Sequence, residues 1–383
     1  MPHDPAADQR FFQATTRDFL AGTMPVATVR ELGETGTGFD RRWWRRGAEL
    51  GWTAMLVPES LGGGTVSGRP MTELALVAME LGRSCAPGPF VTTNAVLAGL
   101  APHAERFADI VTAVLSGERI AVWAVYEPGR GFDALGTGTP AGRAAYATRI
   151  ESDGTGVRLT GVKDRVEAGD QADLFLVTAS GPRGPVQVLV PADAPGVTVE
   201  PAWTLDLVRR TARVTFDHVA VPSDAVVNIG AEAETAVRAQ ALTAAVLTAA
   251  ESVGAADSAF DATLAWLSDR YTFGRPLASY QALKHRMADN KTWLEACRAT
   301  AAAAAAAWDD DPATAAEAVG IAKSYVGAKA PVIGQDCVQL HGGIGVTWEH
   351  DLHLYLRRIT LGRALYGTPE EHRRRITDLL DAA

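Results

Sequence analysis

The feature of this 383-residue sequence that most constrains its fold is a hydrophobic periodicity that changes twice. Apolar residues recur at helical spacing from Phe11 onward, alternate in short bursts from Ile120, and return to helical spacing from about Ala231. A helical segment, a strand-rich segment and a second helical segment are therefore predicted. We place an N-terminal helical domain at 1–117, a central β domain at 118–228 and a C-terminal helical domain at 229–383.

The three segments predict different architectures. In the middle segment, Gly, Pro and Asp separate the apolar bursts, which is typical of short antiparallel strands in a small barrel or sandwich. The last segment is rich in alanine, a strong helix former whose small side chain lets helices approach closely. Its long helices with short links predict an antiparallel four-helix bundle. The expected fold class is α+β and mainly α.

Charge and cysteine usage narrow the possible partners. A net charge of −9 argues against a nucleic-acid partner. No N-terminal stretch is typical of a signal peptide, and no run approaches the roughly 18 apolar residues of a membrane span. The three cysteines, Cys85, Cys297 and Cys337, are scattered without a C-x-x-C, which fits a reducing compartment. We therefore expect a cytoplasmic protein that has neither a membrane nor a nucleic-acid partner.

Two motifs in the C-terminal segment carry groups suited to a dinucleotide. Arg270 opens a turn-like R-Y-T-F-G before a helix that we predict to begin at Ser279 as N-cap, which sets a guanidinium beside free backbone amides. Further on, a helical pattern ends in Gly342 and Gly343, where a positive φ lets a ligand lie against the backbone. Neither signal is specific alone, because arginines before turns are usually solvated and glycine pairs usually only end helices.

The order and spacing of these motifs resemble the acyl-CoA dehydrogenase family of flavoproteins. The resemblance rests on the R-x-x-F-G at Arg270, a glutamine in the next helix and a Q-x-x-G-G-x-G further along. It also takes in EPGRGFD at 127–133, RVTFDHVAVP at 213–222 and YGT at 366–368, and so spans nearly the whole chain. It implies that family's three-domain order of helices, strands and helices.

The resemblance implies a chemistry and a set of partners. In that family FAD lies at a dimer interface, and its ADP arm crosses to the helical bundle of the neighbouring subunit. A carboxylate removes a proton from the carbon next to the thioester carbonyl, and the next carbon delivers a hydride to the flavin. Expected partners are an acyl-CoA or acyl-carrier thioester, a paralogous subunit or a second copy of this chain, and electron-transfer flavoprotein as oxidant.

The residues that the resemblance assigns to the cofactor are all present. They are Arg270, Thr272 and Phe273 of the R-x-T-F-G, Gln281 of the following helix, Gln339, Gly342 and Gly343 of the glycine-pair motif, and Thr368, which matches a threonine that touches the flavin. We therefore predict that these positions bind FAD.

The residues that the resemblance assigns to proton removal are missing. Tyr366 stands where the closing E-G-T of the family has its glutamate, and a phenol with a pKa of about 10 is a poor base at neutral pH. Some members carry the glutamate on the first bundle helix instead, at the position of Ala244, next to an arginine at the position of Ala245. No intact catalytic base is therefore predicted in this chain.

The strand segment departs from the family as well. Tyr126 and Phe132 replace hydroxyl side chains that meet flavin or substrate. Arg165-Val166-Glu167 replaces a W-I-T/S segment that packs on the flavin, and Arg358 replaces an aspartate. A charged pair at 165 and 167 would be costly if it were buried without partners.

These losses fall in one half of the site, and they lead to one hypothesis and two alternatives. The chain resembles the base-less subunit of heteromeric acyl-CoA dehydrogenases of actinobacterial sterol and side-chain degradation, so we expect a two-plus-two heterotetramer. The first alternative is a self-sufficient flavoenzyme that desaturates, oxidatively decarboxylates or oxygenates a biosynthetic acyl thioester. The second is a non-catalytic scaffold without flavin. The acyl group stays open, as does the choice between CoA and a carrier protein.

We interpret the other charged candidates as surface or packing residues. We interpret Glu370 and Glu371 as mostly solvated residues of a last helical turn, and Glu251 as a residue of helix packing or pairing. His350 and His353 have acidic neighbours, but no third ligand cluster accompanies them, so no metal site is predicted.

Overall fold

The order of secondary structure follows the changes of periodicity. The computed structural model describes residues 7–135, 146–152 and 156–381. Within these ranges helices come first, strands second and helices last, and the mainly helical α+β fold is confirmed. The N-terminal helices are α1 (Ala7–Thr23), α2 (Val26–Thr35), α3 (Arg41–Glu49), α4 (Pro70–Arg83), α5 (Phe90–Leu100) and α6 (Ala108–Leu115).

The central strands form one mixed sheet. They are β1 (Ala121–Ala124), β2 (Arg149–Ser152), β3 (Gly156–Glu167), β4 (Leu174–Gly181), β5 (Gly184–Pro191), β6 (Val197–Ala202), β7 (Thr211–Pro222) and β8 (Val226–Ile229). Their order is β6-β7-β3-β2-β4-β5-β8, and β1 adds to β4. Pairings β1–β4 and β2–β4 are parallel, whereas the others are antiparallel. The described strands do not close on themselves, so the sheet is open and not a barrel.

The C-terminal part is a helical bundle with a small hairpin. Its elements are α7 (Ala231–Asp269), β9 (Tyr271–Thr272), β10 (Arg275–Pro276), α8 (Gln281–Asp310), α9 (Ala316–His341), α10 (Leu352–Ala364) and α11 (Pro369–Asp381). Helix α7 packs against α4, α5, α8, α9, α10 and the sheet, which explains why residues 240–257 are buried on every side of the helix.

A close crossing of α4 and α7 sets the position of the central helix. A Cβ atom added to Gly254 would lie 1.9 Å from the carbonyl oxygen of Met79, and one added to Gly82 would lie 2.0 Å from that of Glu251. Only glycine therefore fits on either side of this crossing. The crossing brings the end of α4 next to Glu251, a residue of the candidate site.

The predicted N-cap of α8 is wrong by one residue. Ser279 lies in a short 3-10 turn, and its hydroxyl donates to the carbonyl oxygen of Pro276 at 2.7 Å, so it does not cap the helix. The helix begins at Gln281, and the preceding Tyr280 makes no side-chain cap. The turn competes with the cap because serine hydroxyls bond to nearby carbonyls as readily as to helix amides.

None of the helices in the described ranges is long and apolar enough to span a membrane.

Candidate functional site

A cavity opens where α7, the β9–β10 hairpin and the end of α9 meet. Its volume is about 620 Å³, and we call it the arm cavity. Five of the eight residues predicted to bind FAD line it, namely Arg270, Thr272, Gln339, Gly342 and Gly343. Segments that lie far apart in the sequence thus meet at one place.

Local backbone geometry keeps this cavity open. The chain leaves α9 at Gly342 with φ +66°, the left-handed conformation that the glycine pair predicted. A Cβ atom added to Gly342 or to Gly343 would find no heavy atom within 4 Å. The backbone of both glycines therefore faces open space into which a ligand can fit.

The cavity carries positive charge. Arg270 is exposed, and it makes no ion pair with any residue in the described ranges. Arg286 also lines the cavity, with its Nε atom 3.6 Å from a carboxylate oxygen of Asp336. An available guanidinium beside open backbone suits a pyrophosphate, which accepts paired hydrogen bonds from an arginine fork. The residues of this half fit the ADP arm of FAD.

Three of the predicted FAD-binding residues do not line the cavity. Phe273, at the tip of the hairpin, is 94% exposed, and Gln281 is exposed at the start of α8. Thr368 caps α11: its Oγ1 accepts from the Glu371 amide at 3.2 Å, and Glu371 Oε2 accepts from the Thr368 amide at 2.8 Å. This is a capping box. Glu370 and Glu371 thus belong to a first helical turn and not, as we had expected, to a last one.

The positions assigned to the reacting half meet around Tyr366. Its phenol donates to Glu167 Oε2 at 3.4 Å, its backbone amide donates to the Tyr126 hydroxyl at 3.0 Å, and its ring stacks on Trp123 with centroids 6.4 Å apart. Burial, followed by the nearby Glu167 carboxylate, raises the pKa of Tyr366 well above its usual value. The phenol therefore stays protonated and cannot serve as a base at neutral pH.

A series of buried charges begins at the Glu167 neighbour of this tyrosine, and we call it the charge cluster. Its members are Glu167, Asp206, Arg209, Glu251 and Arg358, all at most 6% exposed. Arg209 contacts Glu167 at 2.9 Å and also donates to Glu251. Arg358 donates to Glu251 at 2.8 Å and also to Asp206. Positive and negative side chains alternate within the cluster, so each charge contacts one of opposite sign, as buried charges require.

Burial and the paired arginines act in opposite directions on the pKa values of the carboxyl groups in the cluster. Burial acts to raise the pKa of Asp206, but Arg358 and the amide of Val208 outweigh it, so that this pKa lies below its usual value. Burial also raises the pKa of Glu167, and Arg209 opposes the shift only in part. Arg358 further donates to the carbonyl oxygens of Cys85 and Ala86, both at 3.0 Å. Its guanidinium is thereby fixed between α4, α7 and the sheet domain.

The costly charged pair at 165 and 167 does not form. Arg165 is exposed and donates to the carbonyl oxygen of Arg130 at 2.6 Å, while Glu167 is buried against Arg209. Glu251, which we had interpreted as packing or helix pairing, is a full member of the charge cluster. Ala244 and Ala245 are fully buried on α7, so the alternative glutamate position holds only methyl groups.

The two histidines of the EHDLH segment face different neighbours. The ring of His350 lies 4.6 Å from that of His341, and the ring of His353 stacks on Trp348 at 4.5 Å. No group of three metal-ligating side chains occurs in the described part of the chain. The side chain of Asp133 lies outside the described residues.

Sequence reasoning missed Asp206 and Arg209. Both belong to the short charged stretch between β6 and β7, which alone predicts only a solvated connection. The sequence did hold one signal for them. By the family resemblance, Glu167 replaces an uncharged residue and Arg358 replaces an aspartate. A new charge at 167 and a reversed charge at 358 indicate that each has a buried partner elsewhere.

Comparison with known proteins gives consistent matches along the chain. The family model described as acyl-CoA dehydrogenase, N-terminal domain, matches residues 6–106, and that described as acyl-CoA dehydrogenase, C-terminal domain, matches residues 235–380. The chain is 30% identical over 376 residues to acyl-CoA dehydrogenase IpdE2 of Mycobacterium tuberculosis, with 97% of each protein covered.

Solved structures of similar fold include two from assemblies with two named components. The structure of a variant of the Tcur3481-Tcur3483 steroid ACAD has a TM-score of 0.83, with 27% identity and 98% of each chain covered. That of the ChsE4-ChsE5 complex from Mycobacterium tuberculosis has a TM-score of 0.85, with 25% identity and both chains fully covered.

Proposed function

The chain belongs to the acyl-CoA dehydrogenase family of FAD-dependent oxidoreductases that act on CH–CH groups, and we propose that it is a subunit without a catalytic base. In this proposal it lends its arm cavity to an FAD whose flavin ring lies in a partner subunit. The reaction is the α,β-desaturation of an acyl-CoA thioester, and the partner supplies the carboxylate that removes the α proton.

The observation that carries this proposal is the charge cluster. All three of its carboxylates accept hydrogen bonds from Arg209 or Arg358, so none is free to take a proton from carbon. Removing one member of a buried ion pair costs about 3–5 kcal/mol. A flavin or a substrate therefore cannot separate these pairs without a large loss of binding energy.

The arm cavity differs from the charge cluster in being open to a ligand, and this difference supports a split of roles between two subunits. The cavity is open, carries at Arg270 a guanidinium without an ion pair in the described ranges, and presents the bare backbone of Gly342 and Gly343. A chain that had simply lost its function would be expected to lose both halves. Retention of one half fits a subunit that binds the arm of a cofactor held elsewhere.

Exposed apolar side chains at the rim of the arm cavity support a covering partner. Phe273 is 94% exposed, Val346 78% and Trp348 48%. The first follows the cavity residue Thr272, and the others follow the cavity residue Ile344. Large exposed apolar side chains that follow cavity residues in the chain are candidates for a protein interface. A second chain seated on this rim would also close the cavity.

The partner in this proposal is a paralogous, base-carrying subunit in a two-plus-two heterotetramer. The similarity to a chain of the ChsE4-ChsE5 complex supports a heteromer, and the steroid named for the Tcur3481-Tcur3483 structure supports a bulky acyl group. Electron-transfer flavoprotein is the proposed oxidant, and the cytoplasm is the proposed location.

In the proposed complex, the arm cavity and the charge cluster have separate roles. When bound, FAD supplies the hydride acceptor for the β carbon of the substrate. Arg270 would bind the pyrophosphate, and the open backbone of Gly342 and Gly343 would leave room for the same arm. Arg209 and Arg358 keep the buried carboxylates paired, and burial keeps Tyr366 a neutral phenol.

Co-expression with the paralogue encoded nearest to it tests the proposal. The complex is expected to be yellow and to reduce an artificial electron acceptor when an acyl-CoA is added, whereas the chain alone does neither. A chain that, purified alone, binds stoichiometric FAD and desaturates an acyl-CoA would refute the proposal. A colourless, inactive complex would support the scaffold alternative instead.

One observation favours a second candidate, a self-sufficient flavoenzyme. Glu167 lies 3.4 Å from the Tyr366 hydroxyl, and its raised pKa suits a general base. In that case the chain alone is active on an acyl thioester, and Glu167→Gln abolishes the activity. Glu370→Gln is the matched control, because Glu370 is exposed and pairs with Arg363 and Arg373 on the surface.

A further inference from the structure

A stacked pair of rings forms one wall of the arm cavity. Trp266 and His341 both line it, their centroids lie 5.2 Å apart, and their planes differ by 17°. The Nε1 atom of Trp266 and the Nε2 atom of His341 are buried without a hydrogen-bond partner in the described structure. Buried polar atoms almost always have a partner. Both atoms belong to side chains that line the arm cavity, so a polar ligand bound there can supply the missing partner.

One of the two nitrogen atoms is a hydrogen-bond donor and the other is an acceptor. Nδ1 of His341 lies 2.8 Å from the carbonyl oxygen of Cys337, so the ring hydrogen sits on Nδ1 and Nε2 is an acceptor. Burial, with His350 acting in the same direction, lowers the pKa of His341, which keeps the ring neutral. The indole N–H of Trp266 can only donate. The wall thus presents a donor and an acceptor in adjacent, stacked rings.

We propose that the indole N–H of Trp266 donates a hydrogen bond to an oxygen of the ADP arm and so contributes to the affinity of this subunit for the cofactor. The inference rests on the proposed function, in which the arm cavity takes that arm. The guanidinium carbon of Arg270 lies 5.9 Å from the centre of the Trp266 ring, so the indole stands beside the group assigned to the pyrophosphate. A hydroxyl or phosphate oxygen held there accepts from the indole.

Two tryptophans of this chain allow a matched experiment. The Nε1 atom of Trp308, on α8, is likewise buried without a described partner, but Trp308 does not line the arm cavity. The test is calorimetric titration of the full chain with ADP, using wild type, Trp266→Phe and Trp308→Phe. Phenylalanine keeps an aromatic ring in place and removes only the N–H and the second ring.

The expected result is a loss confined to one variant. Trp266→Phe should bind ADP on the order of tenfold more weakly, the size of one hydrogen bond to a charged or polar oxygen, and Trp308→Phe should bind like wild type. Inorganic pyrophosphate as a second probe locates the acceptor: a matching loss places it in the diphosphate, and an unchanged affinity places it in the adenosine. Equal ADP affinity of Trp266→Phe and wild type would overturn the inference and leave the proposed function intact.

Two further outcomes are decisive. A wild-type chain that binds no ADP would overturn the inference together with the arm-lending role itself. Tryptophan emission of the wild-type chain gives a readout that does not depend on any variant folding. Saturation with ADP should change that emission, because the indole gains a hydrogen bond and an anionic neighbour. Emission that stays constant while calorimetry reports binding would contradict a contact to Trp266.

Discussion

Arg209 holds Oε1 of Glu167 with two nitrogens, Nε at 3.0 Å and Nη2 at 2.9 Å. Glu167 stands at the end of β3, where the family resemblance expects a small hydroxyl side chain against the flavin. Both partners are buried, and a buried carboxylate or guanidinium that loses its partner is strongly destabilising. The pair therefore marks the point at which this chain replaces a cofactor contact by a contact with itself.

The first prediction concerns the contribution of the charge cluster to the free energy of unfolding. Arg358→Met should lower the free energy of unfolding by about 3–5 kcal/mol, because Asp206 and Glu251 lose a buried counter-ion. Arg373→Met removes an exposed partner of Glu370 and should change it by less than about 1 kcal/mol. Urea denaturation measures both. Equal effects of the two variants would mean that the cluster does not stabilise the fold.

The second prediction concerns Tyr366. Its hydroxyl contact to the Glu167 carboxylate is long, 3.4 Å, and a hydrogen bond to a charged group contributes about 1.5–3 kcal/mol only at good geometry. Tyr366→Phe should therefore cost under about 1.5 kcal/mol of stability and leave the desaturase activity of the complex unchanged. An activity loss without a loss of stability would assign Tyr366 a catalytic role, contrary to this account.

The third prediction concerns the grip on the cofactor arm. Arg270→Ala should weaken FAD binding by the complex on the order of 10- to 100-fold, the effect of losing hydrogen bonds to a charged group. Arg275→Ala is the matched control, since Arg275 lies in the same hairpin but stacks on Tyr280 at 3.9 Å and does not line the cavity. Flavin fluorescence after dialysis reports the affinity. The same loss in both variants would point to disruption of the hairpin.

The fourth prediction concerns the apolar rim. Phe273→Asp should dissociate the complex, because a charge would be buried in the interface that we expect the rim to form. Trp203→Asp alters a side chain that is also highly exposed, 83%, but that follows β6 and does not line the arm cavity. Light scattering after gel filtration gives the mass of each assembly. A complex that survives Phe273→Asp would place the interface elsewhere.

The fifth prediction uses a buried lysine in α9. Nζ of Lys323 donates to the carbonyl oxygens of Gly362 at 2.8 Å and Leu365 at 2.7 Å. Burial, reinforced by Arg209, lowers its pKa from the usual 10.5 to about 7. Between these values the unfolded chain binds more protons than the folded one, so the contribution of Lys323 to stability rises with pH.

Comparison with Lys323→Met isolates that effect. From pH 7 to pH 9, the free energy of unfolding of wild type should rise by about 2 kcal/mol relative to the variant. Lys291→Met, at an exposed lysine that pairs with Glu295, is the surface control. A pH-independent difference between wild type and Lys323→Met would show that Lys323 keeps an ordinary pKa.

Local signals in the sequence predicted the parts of the structure that depend on neighbouring residues. The switches of periodicity predicted the order of helices and strands, and the glycine pair predicted the left-handed turn at Gly342. The start of α8 was misplaced because the serine hydroxyl at 279 has a carbonyl acceptor three residues back. Even a local rule fails where two local hydrogen bonds compete.

Local sequence patterns could not predict the charge cluster, because its members are far apart in the chain. Glu167 and Arg209 are 42 residues apart, and Asp206 and Arg358 are 152 apart. From the sequence, Glu167 had only Arg165 as a visible partner, and that arginine turns to the surface instead. The resemblance to a family identified which positions had changed, but only the fold shows that the changes compensate one another.

The number of FAD molecules per complex tests the central claim most directly. In a two-plus-two assembly of this chain with a base-carrying paralogue, only the flavin sites of the partner are usable, so flavin absorbance and protein concentration should give two FAD per four chains. Four FAD per four chains, or one FAD per chain when this chain is purified alone, would contradict the account, because the charge cluster would then leave room for a flavin ring.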